Sequence, residues 1–232
     1  MRRFRKVRHV PLPLLAVMMA AILFAELARC EREGAKETAA EAEKSVPRRA
    51  ALTFDDGPNA CYTPEVLEIL KENEILATFF LQGQCLAGNE EIVRRMHAEG
   101  HLIGNHTFHH VQLTKVSEEE AREEVVKTSN AIYEITGEYP VYIRPPFGEW
   151  REGLDLAVTM IPVLWDVDSR DWESQNTASI CSAVLPNVKD GSIILMHDGY
   201  PGGGTVEALR RIVKELKEEG YTFVTVRELI EE

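Results

Sequence analysis

Long apolar runs are nearly absent from this chain of 232 residues. One stretch, from about Val10 to Ala28, approaches the ~20 apolar residues that a membrane span needs, and Pro11, Pro13 and Glu26 interrupt it. Positive charge is scarce as well: 26 Lys and Arg stand against 38 Asp and Glu, for a net charge of −12. The acidic residues dominate beyond the N-terminal segment, which argues against nucleic acid as a partner. Cysteine is limited to four residues, and Cys61 and Cys85 lack metal-ligand spacing. Both follow apolar runs, so a disulfide between them stays open if the domain is exported. Internal repeats and low-complexity tracts are missing too, which leaves one domain of ordinary size with an N-terminal extension.

That extension starts basic, with Arg2, Arg3, Arg5, Lys6 and Arg8 ahead of the apolar stretch. Residues 1–30 are therefore expected to be an uncleaved membrane anchor with its basic end inside, or a cleaved signal peptide. A cut after Ala28 would put Glu26 where a small neutral residue is wanted, and Arg29 ahead of Cys30 disfavours a lipoprotein box. Either route exports the rest of the chain, to the outer face of the membrane or into the medium. Residues 31–49 are charged and rich in Ala and Glu, with no apolar face to bury, and read as a tether. The domain proper is expected over 50–232.

Chemistry first shows at Thr53-Phe54-Asp55-Asp56-Gly57-Pro58. Ala50, Ala51, Leu52 and Phe54 read as a buried strand, stopped by Gly57 and Pro58. Standing alone, Asp-Asp-Gly-Pro is a surface turn. A second group, Asn105-His106-Thr107-Phe108-His109-His110, also follows an apolar segment, and His106 and His110 stand four residues apart. That spacing lets two imidazoles converge on one ion. Two His with one Asp make an N/N/O ligand set suited to zinc or another divalent transition metal, while His109 reads as a polar loop residue.

Three more polar clusters each close an apolar run: Arg144-Pro145-Pro146-Phe147-Gly148, then Asp166-Val167-Asp168-Ser169-Arg170-Asp171-Trp172, then His197-Asp198-Gly199. Polar residues at the carboxyl ends of successive buried strands are how a β/α barrel builds its active site. With these five groups in order as TFDDGP, HTFHH, RPPFG, DSRDW and LMH, the chain from about Ala50 to its C-terminus resembles the NodB-type polysaccharide deacetylases, carbohydrate esterase family 4.

The resemblance implies an α/β fold, a shortened or distorted (β/α) barrel in a single catalytic domain. It implies that Asp56, His106 and His110 hold one divalent ion, zinc first, with cobalt, manganese, nickel or iron as substitutes. Asp55 would be the base that takes a proton from ion-bound water, and Arg144 would pair with it and hold its orientation. His197 would be the acid that protonates the leaving amine, oriented by Asp171. The backbone N–H of Phe147 would share the oxyanion with the ion, and Trp172 and Leu195 would form an apolar slot for the acetyl methyl. The family's third motif usually ends in Pro-Tyr, where this chain has Pro146-Phe147. A backbone donor survives that change and a phenolic hydroxyl does not.

The implied reaction is removal of N-acetyl groups from amino sugars of a cell-wall or surface polysaccharide, peptidoglycan or a chitin-like oligomer, by a monomer. An acidic groove suits such a neutral or amine-bearing glycan. Two alternatives stand beside it: an amidase for small amides on the same fold, and a non-catalytic glycan-binding protein. The presence of all seven polar residues, Asp55, Asp56, His106, His110, Arg144, Asp171 and His197, favours an enzyme. A binding module needs neither a base and an acid nor their orienting partners.

The remaining pattern alternates strand and helix. Thr63 as N-cap and Pro64 at the first position predict a helix through Glu72. Ala77–Leu81 reads as a strand, Glu90–Glu99 as a helix, and Ser117 with Glu120 as a capping box for a helix ending before Gly137. Thr205–Glu219 is amphipathic and leads to a strand over Thr222–Val226. This alternation predicts a parallel sheet closed or nearly closed into a barrel.

Overall fold

The computed structural model describes residues 48–199 and 203–231, with residues 26, 29 and 32 besides. The expected anchor and most of the tether lie outside the described residues. Among the described residues no helix is long and apolar enough to cross a membrane. Arg48–Glu232 forms one compact unit. The tether ends earlier than expected, because Arg48 and Arg49 already belong to the first strand and pair with Tyr221 and Thr222. Arg48 lies 4.2 Å above the Tyr221 ring, which gives its charged head an aromatic seat.

From Arg48 onward, among the described residues, eight strands and six α-helices follow in chain order, alternating except from β4 to β6: β1 (Arg48–Asp55), α1 (Tyr62–Glu72), β2 (Thr78–Leu81), α2 (Glu90–Ala98), β3 (Leu102–Asn105), α3 (Glu118–Thr136), β4 (Tyr142–Ile143), β5 (Ile161–Pro162), β6 (Val167–Asp168), α4 (Thr177–Val184), β7 (Ser192–His197), α5 (Gly203–Glu218), β8 (Tyr221–Phe223) and α6 (Val226–Ile230). Every pairing is parallel, in the order β5-β4-β3-β2-β1-β7-β6. Ala50 pairs with Ser192 on one edge and Phe223 on the other, so β8 takes the lower part of the edge that β2 occupies from Thr53 onward. The two ends of the order, β5 and β6, are not paired with each other, and the barrel is open there.

Side chains alternate along β1, as strand geometry requires. Ala50, Leu52 and Phe54 pack outward with Phe79, Leu67, Leu70, Leu209 and Ile212 beneath the helices. Ala51 packs with Phe80, Tyr142, Val163 and Val226 in a separate cluster. Thr53 and Asp55 share the face of Ala51, so the apolar interior turns polar toward the carboxyl ends of the strands.

Several element ends differ from expectation for visible reasons. Thr63 lies inside α1 and is fully buried; its hydroxyl accepts from Asn59 N and donates to Asp198 Oδ2. Asn59 Oδ1 takes the Cys61 and Tyr62 amides instead, the work expected of Thr63. The last strand stops at Phe223, because Thr225 caps α6 in a capping box with Glu228. Ser117 accepts from Glu120 N as expected, and Gly137 ends α3 at a φ of 79°. Cys61, Cys85 and Cys181 are free thiols.

Candidate active site

Strand register places the polar residues. Asp55, the last residue of β1, pairs with His197, the last residue of β7, and Asn105 ends β3 beside Ile143, one residue before Arg144. A cleft of about 380 Å³ opens at these strand ends, lined by Asp55, Asp56, His106, His110, Pro145, Phe147, Trp165, Asp168, Trp172, Leu195 and His197. Every site residue expected from the sequence lines it except Arg144 and Asp171, which are buried behind it.

The backbone around the cleft is forced. Among the described residues, five of the seven non-glycine positions with positive φ lie in the motif segments: Asp56, Thr107, His110, Phe147 and Arg170. Such angles cost roughly 1–3 kcal/mol each for ordinary side chains and persist only where surrounding contacts hold them. Asn105 supplies part of that hold, accepting from Thr107 N and donating to Val125 O and Ser129 Oγ of α3. Glu124 supplies more, taking the Phe108 and His109 amides and the His109 ring. His109, expected to be a loop residue with no site role, thus anchors the loop to α3.

Asp56, His106 and His110 converge. Asp56 Oδ1 lies 3.4 Å from His106 Nε2 and 3.5 Å from His110 Nε2. Tetrahedral zinc with ligands at about 2.0–2.1 Å sets its donor atoms ~3.3 Å apart, so the spacing fits. The protonation fits too. His106 Nδ1 lies 2.6 Å from Arg144 O, and a carbonyl can only accept; Nδ1 therefore carries a proton, and Nε2 is the nitrogen left to face Asp56. Burial, with the neighbouring His106, lowers the pKa of His110 and favours neutral imidazole. Burial works against the charge on Asp56, but hydrogen bonding to a protonated His106 and the positive charges that His106, His110 and His197 carry when protonated outweigh it, holding the carboxyl far below its ordinary range; a cation in the same place acts in the same direction. Among the described residues this is the one group of three such side chains placed to hold a metal ion.

Two carboxylate pairs flank these three side chains. Arg144 is fully buried and donates from Nη1 to Asp55 Oδ1 at 2.9 Å and to Thr53 Oγ1 at 2.6 Å. Its other donors take Val163 O and Leu164 O at 3.1 Å, and Phe80 lies beneath the guanidinium. Asp55 Oδ1 is thereby fixed, and Oδ2 lies 3.9 Å from His106 Nε2. On the other flank Asp171, 1% exposed, takes His197 Nδ1 at 2.6 Å, His197 N at 2.8 Å and Thr205 Oγ1 at 3.0 Å. Burial disfavours a charged His197, but the Asp171 hydrogen bond and charge, with Asp55 and Asp56 behind them, push its pKa up to about 9. The stability this pair contributes is complete below the ordinary imidazole value of 6.5 and is lost as pH rises through about 9.

The same architecture recurs in proteins of known chemistry. The polysaccharide deacetylase profile matches residues 42–160. A peptidoglycan-N-acetylglucosamine deacetylase of Bacillus cereus is 43% identical over 182 residues, 76% of this chain and 66% of that protein. The chain belongs to the polysaccharide deacetylase family. Peptidoglycan-N-acetylglucosamine deacetylase PgdA of Listeria monocytogenes is 39% identical over 78% of this chain, and the aligned part spans only 39% of that longer protein. The solved structure of the peptidoglycan deacetylase PdaC from Bacillus subtilis superposes with a TM-score of 0.76 at 38% identity, covering 80% of this chain and 91% of that one. The half-open parallel barrel is thus the fold of the family.

Two expected slot residues differ in setting. Leu195 is 3% exposed and forms floor, whereas Trp172 is 56% exposed and stands at the rim. Phe147, 64% exposed, sets its ring edge-on to His110 at 4.8 Å, so the position without a phenol shields a candidate ligand. Sequence reasoning missed Gln82 and Glu124 and gave Asp198 no role of its own. Glu124 had left a trace, a carboxylate on the same helical face as Ala121, Val125 and Thr128. Asp198 is 1% exposed, and burial, against the Thr63 hydrogen bond and with Asp56 and Asp55 adding, pushes its carboxyl up to about 7.

Proposed function

We propose that this chain removes N-acetyl groups from amino-sugar residues of a cell-wall glycan, with a divalent ion held by Asp56, His106 and His110. The observation that carries this reading is the opposition of two buried pairs, Asp55–Arg144 and His197–Asp171, across those ligands in one cleft. When bound, the ion supplies a Lewis acid for the acetyl carbonyl and lowers the pKa of a water to roughly 7.

The residues do the rest. Asp55, its Oδ1 tied to Arg144, offers Oδ2 to take the proton of the attacking water. His197 carries a proton that the departing nitrogen needs, because an amine leaves and an amide anion does not. Asp171 holds Nδ1, so Nε2 is the nitrogen available to donate. The water oxygen bonds to the acetyl carbon, the carbon–nitrogen bond breaks, and acetate and a free amine result. The Phe147 N–H would share the charge on the carbonyl oxygen, and Leu195 with Trp172 would flank the methyl. The exposed rim of Phe147 and Trp172 suits the flat apolar face of a sugar in a chain, which favours a glycan over a small enclosed amide.

The reading is tested by acetate release from peptidoglycan, N-acetylglucosamine oligomers and small aliphatic amides. Release from a glycan and none from the small amides is expected; the reverse order would replace the glycan reading with the amidase one.

The proton on His197 sets a pH limit. Activity should fall as pH rises through the His197 pKa, at or below about 9, since a bound cation opposes the contribution of Asp55 and Asp56. Asp171→Asn removes the largest raising influence, so this basic limb should move down toward 6.5. A limb that stays in place in the variant would show that His197 does not govern it.

A further inference from the structure

The end of β2 leads into a segment that touches both ligand-bearing loops. Gln82 N donates to Gly57 O at 3.0 Å, Gly83 N to Thr107 O at 2.9 Å and Gln84 N to Phe108 O at 3.0 Å. Gly83 is required there, because a Cβ would lie 2.3 Å from the Phe108 ring and 2.6 Å from Thr128 Oγ1. The Gln82 side chain, 6% exposed, reaches Asp56: its Nε2 lies 2.5 Å from Asp56 Oδ1, the same oxygen that faces both imidazoles. The amide can point only this way. Its oxygen against a charged carboxylate would set two acceptors in contact, and Gln84 Nε2 donates to Gln82 Oε1 at 2.8 Å, fixing the opposite end.

We propose that Gln82 is a positioning residue for the metal ion, acting through Asp56. This rests on the metal reading of the cleft. Asp56 is held at a φ of 72°, and no helix or ladder constrains its side chain. The Gln82 carboxamide fixes that rotamer with Oδ1 toward His106 and His110, and Gln84 in turn fixes the carboxamide. Hydrogen-bond partners of ligating side chains commonly contribute 10- to 100-fold in metal affinity.

The test is zinc affinity of the full chain by chelator competition, with the melting temperature of the ion-free protein as a second readout. Gln82→Met keeps the length and apolar bulk of the side chain and removes the donor. It should weaken zinc binding about 10- to 100-fold and leave the ion-free melting temperature near that of the parent. Gln84→Ala alters an exposed side chain and should weaken binding about two- to tenfold, the worth of one hydrogen bond. In the Gln82→Met background Gln84→Ala should add nothing, because Gln84 acts only through Gln82. Parental affinity in Gln82→Met would overturn the proposal while leaving the metal site intact. So would a loss of affinity matched by a loss of ion-free stability, or an additive effect of Gln84→Ala. A parent chain that binds no zinc would remove the metal site and this role together.

Discussion

Asp55→Asn is expected to lower turnover by about 10²–10⁴, the usual contribution of a positioned general base, with zinc still bound at one per chain. Asn keeps the size of the side chain and an oxygen for the Arg144 Nη1 donor, so the geometry of the flank survives. What disappears is the proton acceptor at Oδ2, on the side facing His106. Arg144 is then buried opposite a neutral group. Breaking a buried ion pair outright costs about 3–5 kcal/mol, and the retained hydrogen bond should hold the loss below that. Turnover and zinc content are therefore measured well below the variant's melting temperature. A variant within tenfold of the parent, or one that loses its zinc, would mean that Asp55 is not the base or that Asp56 is not the ligand.

Replacing both His106 and His110 by Ala is expected to abolish stoichiometric zinc binding. Each imidazole presents Nε2 to Asp56 Oδ1, at 3.4 and 3.5 Å, and one buried carboxylate is too little to hold a divalent ion against water. The same change removes the His106 and His110 contributions that oppose burial at Asp56 and leaves that of His197, so its pKa should rise from its depressed value. The metal-free double variant should stay folded, since both rings face the cleft rather than the apolar clusters. Elemental analysis after dialysis decides the matter; one zinc per chain in the double variant would place the site elsewhere.

Much of the site was legible because its residues end strands. An apolar run followed by charged side chains marks a strand feeding a cleft, and β1, β3 and β7 obey that rule with Asp55, His106 and His197. The pairing of Asp55 with His197 was not legible, because register depends on how β1 and β7 slide past one another and no local pattern records it. Thr63 misled for a related reason: its hydroxyl matched a cap, but a buried carboxylate 135 residues away, Asp198, competes for it and wins. Gln82 carried no signal at all. An amide after an apolar strand looks like any exposed loop residue, and only the turn of Asp56 into positive φ brings a carboxylate oxygen against it. Short strands blurred too, since β4, β5 and β6 span two residues each and offer no period to read.

On the proposed function, acetate leaves an N-acetylated glycan only when Asp56, His106 and His110 hold an ion. The direct measurement is acetate release from an N-acetylglucosamine oligomer by the parent chain before chelation, after removal of metal, and after zinc is restored. Release, then loss to background, then recovery with one equivalent of zinc are expected, with no recovery in the His106→Ala, His110→Ala chain. Undiminished release from the metal-free parent would contradict the proposed function.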